Sequence, residues 1–147
     1  MGRELTTEIH IAAPPAHVWD VLTDLPGYAA WNPFITHASG DPAEGHRLRL
    51  RMRAGDREHT VQPTVTERRD GKLLRWTGHA GVRGLFDAVH THELVPTPTG
   101  TRYLHQERFT GLLVPLFGRT IDATETAFHA MNHALAAEVA RRSVASA

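Results

Sequence analysis

The feature that most constrains this chain is a long amphipathic helix, which the sequence pattern predicts over residues 115–142. One stripe of mostly apolar residues recurs there at alternating spacings of four and three, which is the period of a helix face. Its members are Phe117, Ile121, Thr124, Phe128, Met131 and Leu135. At 1.5 Å per residue the helix would be roughly 40 Å long, enough to cross a small domain. Such a stripe needs an apolar partner, so we expect a sheet to wrap around the helix.

The composition is that of a folded protein with a core of its own. A length of 147 residues suffices to bury that core without disulfides or a metal, and we interpret residues 1–147 as a single domain. The absence of cysteine excludes disulfides, thiolate catalysis and cysteine-ligated zinc. Because the formal net charge is zero, no overall field attracts nucleic acid or an anionic membrane. No apolar run approaches the length of a membrane span, so we expect a cytoplasmic protein, either a monomer or a homodimer.

Before the long helix, the chain is typical of one strand, two short helices and a series of further strands. Residues 7–12 alternate between apolar and polar and predict the first strand. A helix follows over residues 16–23, and one more helical turn lies within residues 25–33. After Pro33 the period drops to two, with turn signals that indicate an antiparallel meander. The clearest strands fall at residues 48–52, 61–65, 74–76, 85–95 and 101–110.

Four groups of residues resemble one known family. They are Ala-Pro-Pro-Ala-His-Val-Trp at 13–19, Trp-Asn-Pro-Phe at 31–34, Gly-Leu-Phe-Asp at 84–87 with His90, and Gly-Thr-Arg at 100–102 with His105, Glu107, Phe109 and Gly111. Together with the order of elements, they resemble the START-like, or Bet v 1-like (SRPBCC), superfamily, especially its bacterial polyketide cyclase/dehydrase and lipid-transport branch. The resemblance implies an α+β helix-grip fold. In that fold a curved antiparallel sheet, here of seven strands, wraps around the long C-terminal helix and leaves a cavity between them.

Alternation along the last two predicted strands assigns three histidines and a glutamate to the inner face of the sheet. The inward residues are Phe86, Ala88, His90, His92 and Leu94 on one strand, and Tyr103, His105, Glu107 and Phe109 on the other. If the proline-rich loop at residues 96–100 closes a hairpin, His90 lies directly or diagonally across from His105. His92 and Glu107 would then be close neighbours.

This polar cluster has three interpretations. Its members can satisfy one another, since a buried polar group without a partner costs about 1 to 3 kcal/mol. They can act as acid and base, with His105, Glu107 and His90 as the catalytic candidates for cyclisation or dehydration of a polyketide-like substrate. A His-x-His pair facing His-x-Glu can also supply metal ligands. The resemblance implies neither a metal nor a cofactor, so none is assigned from the sequence.

We expect a hydrophobic or aromatic small molecule, such as a lipid, isoprenoid or polyketide-like compound, to bind between the sheet and the long helix. The predicted lining is Trp76, Phe86, His90, His92, Tyr103, His105, Glu107, Phe109, Phe117, Ile121, Thr124, Phe128 and Met131. The alternative is a cyclase or dehydratase that uses the same cavity. A third class is an interaction module, such as a cochaperone or a ribosome-directed toxin, which only the alternating arginines of residues 47–53 favour. The apolar connection at residues 111–118 either packs as the start of the helix or borders the cavity as a flap.

Overall fold

The computed structural model describes residues 2–145, and these form eight strands and three α-helices. In chain order they are β1 (Gly2–Ile11), α1 (Pro15–Thr23), α2 (Tyr28–Trp31), β2 (Ile35–Ser39), β3 (Arg49–Ala54), β4 (Arg57–Val61), β5 (Thr64–Arg69), β6 (Leu73–His79), β7 (Asp87–Thr97), β8 (Gly100–Thr110) and α3 (Gly118–Ala145). Short 3₁₀ turns precede α2 and α3. The predicted α+β helix-grip arrangement is confirmed, including the two short helices after the first strand.

The predicted number of seven strands was wrong, because the segment at residues 61–65 belongs to two strands. In the structure β4 ends at Val61 and β5 begins at Thr64. Pro63 lies between them, where its missing N–H cannot interrupt a hydrogen-bonded ladder. The Pro63 carbonyl accepts a hydrogen bond from the Leu48 N–H at 2.8 Å instead. The proline therefore marks the passage from one sheet to the next.

The strands form two antiparallel sheets. Five strands pair in the order β1-β8-β7-β6-β5, and three pair in the order β2-β3-β4. The longest pairing is the β7–β8 hairpin, whose register runs from Asp87 opposite Thr110 to Thr97 opposite Gly100. Both strands of this hairpin continue into the segment that the sequence predicted to be a longer loop at residues 96–100. The hairpin thus carries the inward-facing residues of two strands side by side over its whole length.

Helix α3 packs across the inner face of the sheets along the predicted stripe. Ile121, Phe128, Met131 and Leu135 are fully buried, and Thr124 is 8% exposed. Phe117 is the exception, because it belongs to the preceding 3₁₀ turn (Val114–Phe117) and remains 37% exposed. Within residues 2–145, no helix has the length and hydropathy to cross a membrane.

Charged side chains form hydrogen bonds within the C-terminal end of α3 and between it and the residue that follows α1. Glu138 accepts hydrogen bonds from Arg141 at 2.7 Å and from Arg142 at 2.9 Å. Arg142 also donates to Asp24, at the end of α1, at 3.0 Å. Hydrogen bonds from the two arginines outweigh burial and lower the pKa of Glu138 to about 2. The carboxylate form of Glu138 is therefore favoured by folding.

The substitution Glu138→Gln tests this anchor. Because the folded-state pKa lies below the ordinary value of 4.5, the stabilisation is present above pH 4.5 and is lost as the pH falls towards 2. Hydrogen bonds to charged groups contribute about 1.5 to 3 kcal/mol, so we expect the melting temperature at pH 7 to fall by several degrees. Thermal unfolding followed by circular dichroism at pH 7, 5 and 3 should show this difference shrinking at the lowest pH.

Glu125→Gln is the matched control for this measurement, since Glu125 is exposed on the same helix. An equal loss of stability for Glu138→Gln at pH 7 and pH 3 would contradict the electrostatic origin of the effect.

Candidate functional site

The β7–β8 hairpin brings together the three histidines and the glutamate singled out in the sequence. His90 pairs with Glu107, and His92 pairs with His105. Since successive side chains alternate between the faces of a strand, all four point to the same inner face. Each is at most 8% exposed. His90 and His105 are diagonal neighbours, and their Nε2 atoms lie 2.7 Å apart.

A chain of hydrogen bonds from β1 through α3 defines the tautomer of His105. The Thr7 hydroxyl donates to the His105 carbonyl at 3.0 Å. The hydroxyl oxygen of Thr7 in turn accepts a hydrogen bond from Asn132 Nδ2 at 2.9 Å. The Asn132 amide oxygen therefore faces His105 Nδ1, at 2.8 Å, and accepts a hydrogen bond from it. With its proton on Nδ1, His105 has a lone pair on Nε2. His90 must donate to that lone pair through its own Nε2–H.

Two ring nitrogens of the cluster have no hydrogen-bond partner among the described residues. His90 Nδ1 carries a lone pair and lies 3.7 Å from Glu107 Oε2, which is too long for a hydrogen bond. His92 uses Nδ1 for a 2.5 Å hydrogen bond with the Tyr103 hydroxyl, and its Nε2 is left buried and unpaired. Mutual hydrogen bonding therefore accounts for only part of this cluster.

Aromatic rings surround the histidines. The ring of Phe128 stacks on His105 with centroids 3.8 Å apart and planes within 1° of parallel. Trp76 lies 4.8 Å from the ring centroids of both His90 and His92. Phe34 stacks on His90 from another side, at 6.2 Å. The cluster is thus a polar group enclosed in an apolar shell.

Burial in this shell keeps the cluster uncharged at neutral pH. It lowers the pKa of His90 and His92 well below the ordinary value of 6.5, and that of His105 to about 3. The same loss of hydration raises the pKa of the Glu107 carboxyl to about 8. At pH 7 the imidazoles are therefore neutral, and Glu107 is mostly a protonated acid.

Next to the cluster, the hairpin ends in an exposed apolar surface. Phe86 contacts Phe109 at a centroid distance of 5.6 Å and Phe117 at 4.9 Å. We call this surface the apolar rim; besides Phe86 and Phe117, its members are Val82, Leu112 and Leu116, which are 70%, 81% and 76% exposed. Two backbone hydrogen bonds join its loops, from the N–H groups of Leu112 and Leu113 to the carbonyls of Gly84 and Leu85.

The remaining predicted lining residues lie between the sheet and α3. All of the predicted residues are buried except Phe86 and Phe117, which lie at the apolar rim. Two cavities of about 410 Å³ each are present, and neither is lined by a residue of α3: one borders Thr6, Thr91, Gln106 and Glu107, and the other borders His37 and Arg51. In the space predicted for a ligand, the aromatic and imidazole rings pack directly against one another.

Sequence reasoning missed three residues of the site, namely Thr7, Phe34 and Asn132. Asn132 lies four residues after Phe128 and so shares its helix face, which is the signal that could have identified it. Phe34 lies directly before β2 and was noted only as part of a motif. Thr7 shares a face of β1 with Leu5 and Ile9, yet its role depends on an atom of β8 that lies far away in sequence.

Comparison with known proteins bears on both the fold and the family. Residues 3–143 match the family described as polyketide cyclase/dehydrase and lipid transport. No curated protein matches the sequence. Among solved structures, the Zhui aromatase/cyclase from Streptomyces sp. R1128 is similar, with a TM-score of 0.78 and 16% identity over 97% of this chain and 96% of that chain.

Two further structures agree in fold. Protein TTHA0849 from Thermus thermophilus has a TM-score of 0.76 and 22% identity, covering 96% of this chain and 99% of that chain. Protein MLL2253 from Mesorhizobium loti has a TM-score of 0.74 and 23% identity, covering 95% and 98%. At such identities the structures establish the shared fold alone. The family match spans nearly the whole chain, and this protein therefore belongs to the polyketide cyclase/dehydrase and lipid-transport family.

Proposed function

We propose that this protein binds a hydrophobic or aromatic small molecule between the five-stranded sheet and α3. The observation that carries the proposal is an uncharged polar cluster enclosed by aromatic rings, with the exposed apolar rim at the adjoining end of the β7–β8 hairpin. Pockets for small molecules combine apolar walls with a few convergent polar groups. Membership of a family that includes polyketide cyclases and lipid-transport proteins supports the same class of ligand.

The apolar rim is the entry point in this proposal. Phe86 and Phe117 are its half-exposed rings, and they contact each other at 4.9 Å directly beside Phe109. Displacement of these rings opens a path towards Glu107, the member of the cluster next to Phe109 on the same face of β8. The backbone hydrogen bonds between the two loops make the loops move together. Gly111 allows the close approach, since it has a φ of 123° and a side chain there would collide with the Leu85 carbonyl.

Three groups of the cluster have hydrogen-bonding capacity left for a ligand. The protonated Glu107 carboxyl can donate to a ligand carbonyl, and His90 Nδ1 can accept from a hydroxyl. His92 Nε2 is the third. These groups fix the orientation of an oxygen-bearing end, while Trp76 and Phe128 contact the apolar body. The ligand class is therefore a largely apolar molecule with a carbonyl or hydroxyl group at one end.

One observation favours a cyclase or dehydratase as the second candidate. A carboxylic acid and an unprotonated imidazole nitrogen, both buried, lie 3.7 Å apart at Glu107 and His90. In an aldol-type step His90 Nδ1 would take the proton from a carbon next to a ligand carbonyl, while Glu107 donates its proton to the carbonyl oxygen. The product is an enol, and no redox partner is needed. His105 then acts as a positioning residue, since both its ring nitrogens are hydrogen-bonded.

The substitution Phe117→Ala tests the binding proposal. Removal of a phenyl ring from an apolar contact costs about 1.5 to 3 kcal/mol, which corresponds to a tenfold or greater loss of affinity. We expect this loss in fluorescence titrations with N-phenyl-1-naphthylamine, a neutral aromatic probe. Val144→Ala is the control, because Val144 is also an exposed apolar residue but lies at the far end of α3. Equal affinity for both variants, or no probe binding by the unmodified protein, would overturn the proposal.

Glu107→Gln separates binding from catalysis. The amide keeps the size of the side chain and a donor group but cannot release a proton to the substrate. If the second candidate function holds, turnover of a linear poly-β-ketone analogue falls at least 100-fold while probe affinity changes by less than twofold. Glu93→Gln, on the opposite face of β7, is the control. Full turnover by Glu107→Gln would exclude the acid role and leave the binding proposal intact.

A further inference from the structure

Two unpaired buried nitrogens in one cluster call for an explanation. His90 Nδ1 and His92 Nε2 lack partners among the described residues, and each such atom costs about 1 to 3 kcal/mol when it is removed from water. Both rings belong to a set with His105 in which one nitrogen of each lies within 4.8 Å of the others. A single ion at the centre of this set would bind His92 Nε2 directly, and binding through His90 Nε2 would place a proton on His90 Nδ1, where it faces Glu107.

We propose that His90, His92 and His105 bind one divalent transition-metal ion through their Nε2 atoms, with zinc as the first candidate. The proposal does not depend on the identity of any organic ligand and goes beyond the proposed function. Three facts carry it: the convergence of the rings, the groups that face their Nδ1 atoms, and the unpaired Nε2 of His92.

Each of the three imidazoles has a potential partner on its outer side. The pairs are His105 Nδ1 with Asn132 Oδ1 at 2.8 Å, His92 Nδ1 with the Tyr103 hydroxyl at 2.5 Å, and His90 Nδ1 with Glu107 Oε2 at 3.7 Å. Histidines that bind metals usually donate their second ring N–H to a carboxylate, an amide oxygen or a similar acceptor, which fixes the tautomer and the ring orientation. With Nδ1 directed outward on every ring, Nε2 is the atom that remains for a shared ion.

The tautomers are compatible with this arrangement. His105 already carries its proton on Nδ1 and has a free lone pair on Nε2, because Asn132 presents its amide oxygen. His90 donates its Nε2–H to that lone pair, so an ion between the rings replaces this hydrogen bond. The proton of His90 then lies on Nδ1, where it faces Glu107. His92 gains a partner for the nitrogen that lacks one.

The required movement is small. Zinc–nitrogen bonds of 2.0 to 2.1 Å at tetrahedral angles separate neighbouring ligand nitrogens by about 3.3 Å. His90 Nε2 and His105 Nε2 lie 2.7 Å apart, so the two rings separate by roughly 0.6 Å to admit the ion. The ligand nitrogens of the three histidines lie within 4.8 Å of one another, so His92 needs to approach the other two by at most about 1.5 Å.

The donor set selects the class of metal. Three neutral imidazoles suit zinc, copper, nickel or iron(II), whereas calcium and magnesium prefer oxygen ligands. Three protein ligands also leave one coordination position open, as in catalytic zinc sites. When bound, the ion would supply a Lewis acid for a ligand oxygen next to the Glu107 carboxyl, while His90 would serve as a metal ligand and not as a base.

The test is titration of the untagged, chelator-treated full-length protein with Zn²⁺ by calorimetry and with Co²⁺ by visible absorption. His129 and His133 are exposed and four residues apart on α3, a spacing that also binds metals. All measurements are therefore made in the His129→Gln/His133→Gln background. We expect one ion per chain, with the absorption bands of four-coordinate cobalt, and a loss of this binding in His92→Phe.

Tyr103→Phe provides a second test that does not depend on removal of a ligand. Loss of an outer hydrogen-bond partner typically weakens metal affinity 10- to 100-fold. Tyr28→Phe is the matched control, because its hydroxyl is also buried and donates to the Leu22 carbonyl at 2.6 Å outside the cluster. Circular dichroism of each variant establishes that it is folded.

Three outcomes would overturn the proposal. They are the absence of zinc and cobalt binding in the double-variant background, unchanged binding in His92→Phe, and equal metal affinity for Tyr103→Phe and Tyr28→Phe. Each of these leaves the small-molecule proposal standing, since the probe titration reads a different ligand. Loss of probe binding with metal binding intact would contradict the small-molecule proposal and leave the metal proposal standing.

Discussion

The contact between the apolar stripe of α3 and the inner face of β8 is the interaction on which the rest of the site depends. Phe128 lies flat on His105 at 3.8 Å, and Asn132, one helical turn later, holds His105 Nδ1. This packing removes water from three imidazoles and a carboxyl, which makes their neutral forms the stable ones. It also selects one tautomer of His105. The helix thus determines both the geometry and the protonation of the cluster.

The hydrogen bonds of the cluster leave some of its donor and acceptor atoms without a partner among the described residues. A structural polar network in a core is normally satisfied throughout, since each unpaired group reduces stability. Here the network is complete at the Asn132 end, but His90 Nδ1 and His92 Nε2 have no hydrogen-bond partner within residues 2–145. Both atoms can pair with a ligand that carries oxygen groups, and His92 Nε2 can instead bind the proposed metal ion. These unpaired atoms lower the stability of the fold close to the apolar rim, and such a loss of stability is typical of a ligand-binding site.

Much of this arrangement was predictable because it depends on short-range periodicity. The period of two along β7 and β8 predicted which residues share a face, and the proline-rich connection predicted the hairpin. The period of the long helix predicted its buried side, with Phe117 as the exception. The helix begins at Gly118, directly after Phe117 and three residues after the predicted start at residue 115. The strand count was wrong at Pro63, where alternation continues in the sequence although the backbone pairing changes from one sheet to the other.

By itself, the sequence determined the class of fold, the family and the inward orientation of His90, His92, His105 and Glu107, since all of these follow from local patterns. Only the tertiary structure decided which atoms of those residues meet. The rotation and depth of α3 place Asn132 rather than another residue beside His105, and the register of β1 against β8 brings Thr7 to the same point. Such contacts join residues 27 to 125 positions apart. They depend on how whole elements pack, which no local pattern encodes.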